Sequence, residues 1–366
     1  MERLTTPAED GFYFPAEFAP IEQVWLAWPE RSDNWRDGAK PAQQTFARIA
    51  NAIASVTAVH VAVSAQQWVN ARAQLDEKVE LVEMAYNDAW MRDIGPTVLV
   101  DDKGRRRGVS WRFNAWGGEF NGLYTDWQAD DQVAAKVCQN VGIEHYQAPF
   151  VLEGGSIHSD GEGTLYTTEE CLLSPGRNPR LSKAQLEQHL AAYLGIRKVI
   201  WLPNGLYNDE TDGHVDNILH VIAPGKVVLS WTDDPTDPQY SLSRLAEQAL
   251  QAQTDAMGRT IEIIRLPLPG PLYYSEQEAS GVEASQGMVR DAGERLSASY
   301  ANFLIVNQHV FVPLLDDKVD QQAIAILQSA LPSYTIVGIP AREVLLGGGN
   351  IHCITQQIPA PCMPAK

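Results

Sequence analysis

Leu152-Glu153-Gly154-Gly155-Ser156-Ile157-His158 returns near the C-terminus as Leu346-Gly347-Gly348-Gly349-Asn350-Ile351-His352. A recurring Gly-rich turn that ends on Ile-His points to assembly from like units rather than from unlike domains. Outward from these turns, short β-branched or aromatic runs alternate with longer amphipathic stretches. Strands are expected at 24–28, 60–64, 79–84, 97–100, 109–113, 198–202, 218–222, 226–231, 261–266, 303–306 and 310–314. Helices are expected at 43–56, 126–141, 183–194, 242–257 and 321–331. Ser182 is placed to cap the helix that begins at Lys183, Gly195 to stop it, and Gly258 to stop the helix before it. Asp160-Gly161 and Pro224-Gly225 read as tight turns of hairpins. The order is hairpin, helix, strand, over and over, and no Pro-rich, Ser-rich or charged linker divides it. One α/β domain over residues 1–366 is expected.

Composition narrows the partners. Hydrophobic residues make up 45% and charged residues 20%, values of a globular chain. Lys+Arg 28 against Asp+Glu 46 leaves −18, which argues against nucleic acid or an anionic membrane and is compatible with a small cation. The four cysteines, Cys138, Cys171, Cys353 and Cys362, include no Cys-x-x-Cys pair, so free thiols in a reducing compartment are the simplest reading. Residues 1–10 lack the apolar core of a secretory signal, and no apolar run reaches the roughly 18 residues of a membrane span. A soluble cytoplasmic protein is expected.

Four segments carry reactive side chains. Cys353 follows three glycines closely, where backbone freedom and missing side chains leave the sulfur approachable; the plainer alternative is a small core residue. In Asp212-Gly213-His214-Val215-Asp216-Asn217, a strand would put His214 and Asp216 side by side on one face, whereas a hairpin end would leave them solvated. A metal centre would need a second His and carboxylate cluster at ligand spacing, and none accompanies this one. Trp90-Met91-Arg92-Asp93-Ile94-Gly95-Pro96 offers an aromatic face with a carboxylate at its edge, or else a core anchor and a turn cap. Glu153 stands beside two glycines, where a carboxylate is ordinarily a solvated loop residue. Together these supply a thiol, an imidazole, three carboxylates and a tryptophan. A guanidinium fits them: it is planar and cationic, its N–H forks suit carboxylates, its face suits an aromatic, and its central carbon suits a thiolate.

Those motifs, with Tyr166-Thr167-Thr168-Glu169-Glu170-Cys171-Leu172-Leu173 and the string Gly347-Gly348-Gly349-Asn350-Ile351-His352-Cys353-Ile354-Thr355-Gln356-Gln357, span nearly the whole chain. By them the chain resembles the agmatine deiminases, of the guanidino-group-modifying superfamily that also holds peptidylarginine deiminases, arginine deiminases and amidinotransferases. The resemblance implies a five-bladed pseudosymmetric α/β propeller, the pentein fold, with its site at the centre. It implies Cys353 as nucleophile, His214 as acid and base, Asp93 and Asp216 as the guanidinium clamp and Glu153 as the carboxylate that orients His214. Trp90 completes the substrate site, and neither metal nor organic cofactor is required. The implied reaction is hydrolysis of agmatine to N-carbamoylputrescine and ammonia, through an S-alkylthiouronium on Cys353 and on the way to putrescine, in a protein that is often a homo-oligomer.

Agmatine ends in an ammonium, so its site needs a distal anion. Glu210 is the candidate, with Trp116 as a wall, and each has a structural alternative. A peptidylarginine or free-arginine deiminase with the same core, or a non-catalytic propeller used as a binding scaffold, remain as alternatives. Asn307-Gln308-His309 departs from the smaller hairpin residues of the family, a change expected to affect only a surface turn.

Overall fold

Thr97–Val100 and Arg106–Arg112 pair antiparallel, and His145–Val151 returns parallel to Arg106–Arg112 after the helix Val133–Val141. This unit is repeated in the computed structural model, which describes residues 5–284, 288 and 290–361. The second unit is His158–Ser159, Thr164–Thr168, helix Lys183–Leu194 and Lys198–Leu202. The third is Leu219–Ala223, Lys226–Trp231, helix Gln239–Gln251 and Glu262–Pro267. The fourth is Leu304–Val306, His309–Leu314, helix Asp320–Ala330 and Thr335–Pro340. In the fifth, Gln356–Pro359 pairs antiparallel with Ile21–Ala27, so the two ends of the chain close the ring. Helix Lys40–Ile53 leads from there to parallel Ala58–Val63, and Val79–Glu83 adds a further parallel strand. The five sheets form a pseudosymmetric α/β propeller.

Local chemistry explains the units. The middle strands are buried on both sides, as the Val- and Leu-rich Lys226–Trp231 illustrates, so they read as continuous apolar runs rather than alternating ones. In Lys40–Ile53 the residues Phe46, Ile49, Ala50 and Ile53 recur at helical spacing and make the buried face. Ser182 and Gln185 form a capping box, and Gly195 stops that helix in the left-handed region at φ 63°.

Some expected boundaries move. The helix expected to Met257 ends at Gln251. Gly258 serves a later turn, in which the Asp255 carboxylate accepts from the backbone N–H groups of Met257 and Arg259. The helix expected from Asp126 becomes α-helical at Val133, after a 3-10 turn at Asp130–Gln132. Asn307 and Gln308 form a two-residue hairpin with positive φ. Asn307 does more than turn the chain: its amide accepts from Ile21 N at 2.9 Å and donates to Ile21 O at 2.8 Å, tying the fourth blade to the closing one. Among the described residues, no helix is long and apolar enough to cross a membrane.

A short turn precedes the first strand of each sheet: Met91–Ile94, Gly154–Ser156, Val215–Ile218, 299–302 and 351–354. The two copies of the sequence repeat belong to two of these places, although His158 opens a strand whereas His352 lies in a turn four residues before one. Their imidazoles nevertheless stack, with centroids 5.1 Å apart.

Candidate active site

The five turns bring their side chains to one place. Gly155 donates its backbone N–H to Asp93 Oδ1 at 2.8 Å, and Trp116 Nε1 donates to Asp93 Oδ2 at 2.9 Å. Asp93 is therefore fixed through both oxygens. His214 does not lie on a strand, as the strand reading required; it caps the short helix Val215–Ile218, and Asp216 lies inside that helix. Residues two apart on a helix diverge, so His214 and Asp216 flank Gly155 instead of standing side by side. A Cβ on Gly155 would lie 2.6 Å from His214 Nδ1, 2.9 Å from Asp93 Oδ1 and 3.0 Å from Asp216 Oδ2, which makes the glycine a requirement of the packing. Gly349 has the same part on the opposite wall, where a Cβ would fall 2.5 Å from the Trp90 ring and 3.1 Å from Cys353 Sγ.

Cys353 Sγ accepts from Asn302 Nδ2 at 3.2 Å and lies 3.8 Å from Asp216 Oδ2. His214 Nε2 is 3.4 Å from Glu153 Oε2, while its Nδ1 has no hydrogen-bond partner among the described residues and stands 3.9 Å from Asp93 Oδ1. Asp216 Oδ1 is likewise buried without a partner among them. The orphaned imidazole nitrogen thus faces Gly155 together with Asp93 and Asp216, and Asp216 reaches within 3.8 Å of the thiol. A forked cation between two carboxylates would satisfy Asp216 Oδ1.

Burial and like charge set the protonation states. Burial pushes Asp93 up to about 6, with His214 pulling it down and Asp216 and Glu153 pushing it up. Burial opposes charge on His214, but Asp93, Cys171 and Glu153 outweigh it and hold the imidazole well above its ordinary value. Burial raises Glu153 less than Arg177 and His214 lower it, so it stays ionised. The Cys353 thiol is held well above its ordinary value by burial, Asp216 and Asp93, against a smaller pull from the Asn350 backbone and Asn302. Each carboxylate in turn loses its repulsion when a cation enters.

The thiol opens onto a narrow cavity of about 20 Å³ whose lining includes Trp90, Trp116, Leu123, Glu210 and Met288. His214 and Asp216 are buried and do not belong to its lining. Trp90 donates Nε1 to Asp88 at 2.8 Å, and Trp35 covers one of its faces at 5.1 Å. Trp116 follows Ala115 with both residues in the left-handed region, at φ 61° and 54°, a conformation that is costly for side chains of this kind. Glu210 lines the cavity, but Arg290 binds both of its oxygens. The distal anion therefore arrives already paired. Among the described residues, the cavity lining includes no Lys or Arg.

Several members of the centre carry no local sequence signal. Arg177, buried with Glu153, holds that carboxylate at 3.0 Å and also reaches Asp212; a buried Glu needs such a cation, and that need is the clue sequence reasoning could have followed. Asn302 was visible only as the residue before a strand. Cys171 packs in the apolar core of the second blade and also stands against His214 and Glu153, and Cys138 is buried away from charge. Cys362 lies outside the described residues.

The fold also gathers two groups that sequence spacing hid, His158 with His220 and His352, and Glu153 with Cys171 and His214, each with potential ligand atoms within 4.8 Å of one another. Both His352 nitrogens meet carboxylates and Glu153 meets Arg177, whereas among the described residues His158 Nε2 and His220 Nε2 have no hydrogen-bond partner.

The sequence profile of the Porphyromonas-type peptidyl-arginine deiminases matches residues 13–359. A Vibrio parahaemolyticus protein provisionally named an agmatine deiminase is 73% identical over 360 residues, 98% of this chain and 100% of that protein. The solved agmatine deiminase of Enterococcus faecalis is 46% identical, covers 99% of this chain and 100% of its own, and superposes with a TM-score of 0.96. A cysteine-to-serine variant of C. jejuni agmatine deiminase, solved with substrate bound, is 28% identical at a TM-score of 0.82, covering 94% of this chain and 96% of its own.

Proposed function

The chain belongs to the Porphyromonas-type peptidyl-arginine deiminase family, and from that membership and the chemistry of its centre we propose that it hydrolyses agmatine to N-carbamoylputrescine and ammonia. The observation that carries this reading is the meeting of His214 Nδ1, Asp93 and Asp216 around Gly155, with the Cys353 thiol 3.8 Å from Asp216 Oδ2.

Asp93 and Asp216 clamp the guanidinium, and its charge offsets the two anions that keep the thiol neutral. Cys353 then ionises, its proton passing to solvent water, and the thiolate adds to the guanidinium carbon to form a C–S bond and a tetrahedral adduct. His214, held protonated by Asp93 and oriented by Glu153, gives its proton to the departing nitrogen, which leaves as ammonia. A thiouronium remains on Cys353. Neutral His214 next takes a proton from water, the resulting hydroxide adds to the same carbon, and the C–S bond breaks as the new hydroxyl gives its proton to the departing sulfur, which returns the Cys353 thiol and releases the ureido product. Side chains and water supply every step.

The aliphatic chain of agmatine runs between Trp90 and Trp116 toward Glu210, whose carboxylate keeps lone pairs beyond those used by Arg290. Free arginine would bring a carboxylate to a lining without Lys or Arg, which supports agmatine over it. All five blades serve this centre, so residues 1–366 act as one catalytic domain. The enzyme works as a cytoplasmic homo-oligomer that feeds putrescine synthesis. A panel of agmatine, arginine and a peptidyl arginine, scored by ammonia release, tests the reading: agmatine must be the fastest, and a faster peptidyl arginine would overturn it.

A further inference from the structure

Asp216 is not held by the cavity residues alone. Its Oδ2 meets His352 Nδ1 at 2.8 Å, and His352 Nε2 meets Glu17 Oε2 at 2.7 Å. An imidazole with a carboxylate acceptor at each nitrogen satisfies both only as a donor on both sides, which is the imidazolium. Glu17 is fixed in turn, since its Oε1 accepts from Ile305 N at 2.9 Å and lies 3.5 Å from His220 Nε2. Arg92 Nη2 stands 3.9 Å from Glu17, and Arg92 Nε donates to His352 O at 3.2 Å. All of these side chains are buried, and none of them lines the cavity.

We propose that Glu17 and His352 are positioning residues for the deimination, a carboxylate and imidazolium that lock Asp216 ionised and turn its free Oδ1 toward the guanidinium. The proposal rests on the deiminase reading of the site. The chain runs from Glu17, on the segment before the first strand, through His352 beside the nucleophile, to Asp216, so three distant segments set one oxygen. The charged and titratable groups around Asp216 are His352, Cys353, Asp93, His214 and Arg92; those around His352 are Glu17, Asp216, Arg92, His220 and His158. Burial and Arg92 disfavour charge on His352, yet Glu17 and Asp216 raise it. Burial raises Asp216, and His352, His214 and Arg92 together outweigh it and lower it. Removing the charge of Glu17 therefore weakens the imidazolium and lets Asp216 take up a proton at higher pH.

Glu17→Gln tests this, because the amide oxygen can keep the Ile305 contact while the charge is lost. Two reagents are compared on Cys353: 2-chloroacetamidine, a cation whose N–H fork needs Asp216, and iodoacetamide, which is neutral. The expected result is that the ratio of the chloroacetamidine rate to the iodoacetamide rate falls about ten-fold. The acid limb of the chloroacetamidine profile should also rise by about one pH unit, as loss of a nearby opposite charge requires. A ratio that falls less than about three-fold overturns the proposal, whether both rates hold or both fall together, because a merely structural loss slows the two reagents alike. His352→Gln, which keeps an amide donor without the charge, is read by the same criterion if Glu17→Gln fails to fold. The alkylation ratio does not depend on agmatine turnover, so a wild-type protein inert toward agmatine would sink the substrate reading and leave this one decided separately.

Discussion

A Cβ placed on Gly155 would come within 2.6 Å of His214 Nδ1, so the second glycine of the Leu152-to-His158 segment sets how closely the imidazole can face the thiol and the clamp. Gly155→Ala should displace His214 and lower kcat/KM by about 100-fold, the usual result of a misplacement near 1 Å at a reacting centre. Far-UV circular dichroism should be unchanged. An alanine variant with wild-type kcat/KM would show that the contact does not constrain the reaction.

Arg177 and Glu153 are both sealed from solvent. Arg177→Met leaves Glu153 as a buried charge without its cation, and the expected loss is ~3–5 kcal/mol of unfolding free energy, read from urea denaturation. A loss under about 1 kcal/mol, as for an exposed pair, would mean that Glu153 finds another partner or takes up a proton.

The raised Cys353 thiol sets a pH dependence. An acid held above its ordinary value stays protonated over a wider range, so the thiolate fraction keeps growing where a free cysteine has levelled off. The rate of iodoacetamide alkylation at Cys353 should climb continuously between about pH 7 and pH 10. A plateau by about pH 9.5, one unit above the value of an ordinary thiol, would contradict the hold that burial, Asp216 and Asp93 exert on the sulfur.

Glu210→Gln should raise KM for agmatine about ten-fold and change kcat by less than about two-fold, because contact with the distal ammonium is equal in ground and transition states. One amide oxygen can still accept from Arg290, so the variant should fold. An unchanged KM would remove Glu210 from recognition and leave it as the partner that positions Arg290.

What the sequence disclosed follows from how local each signal is. Pro224-Gly225 and Asp160-Gly161 punctuate their hairpins through turn chemistry that needs no distant partner, and the capping box at Ser182 is written within four residues. Cys353, His214, Asp93 and Asp216 lie in motifs dense enough to be recognised from the family. Their supporting residues are different. Asn302 is 51 positions from Cys353, and Glu17 is 335 positions from His352. Those contacts exist only because five blades bring their turns to one axis. Of the two readings open for His214, a strand and a solvated hairpin end, neither holds, for a related reason: Val215-Asp216-Asn217-Ile218 is a single buried helical turn, too short for any periodicity to register.

Ammonia release from agmatine by Cys353→Ala protein measures the central claim most directly. A covalent route through this sulfur predicts no release above the uncatalysed rate, in a protein whose unfolding midpoint matches that of the wild type. Release at the wild-type rate would contradict the assignment of Cys353 as the nucleophile and, with it, the covalent route to the product.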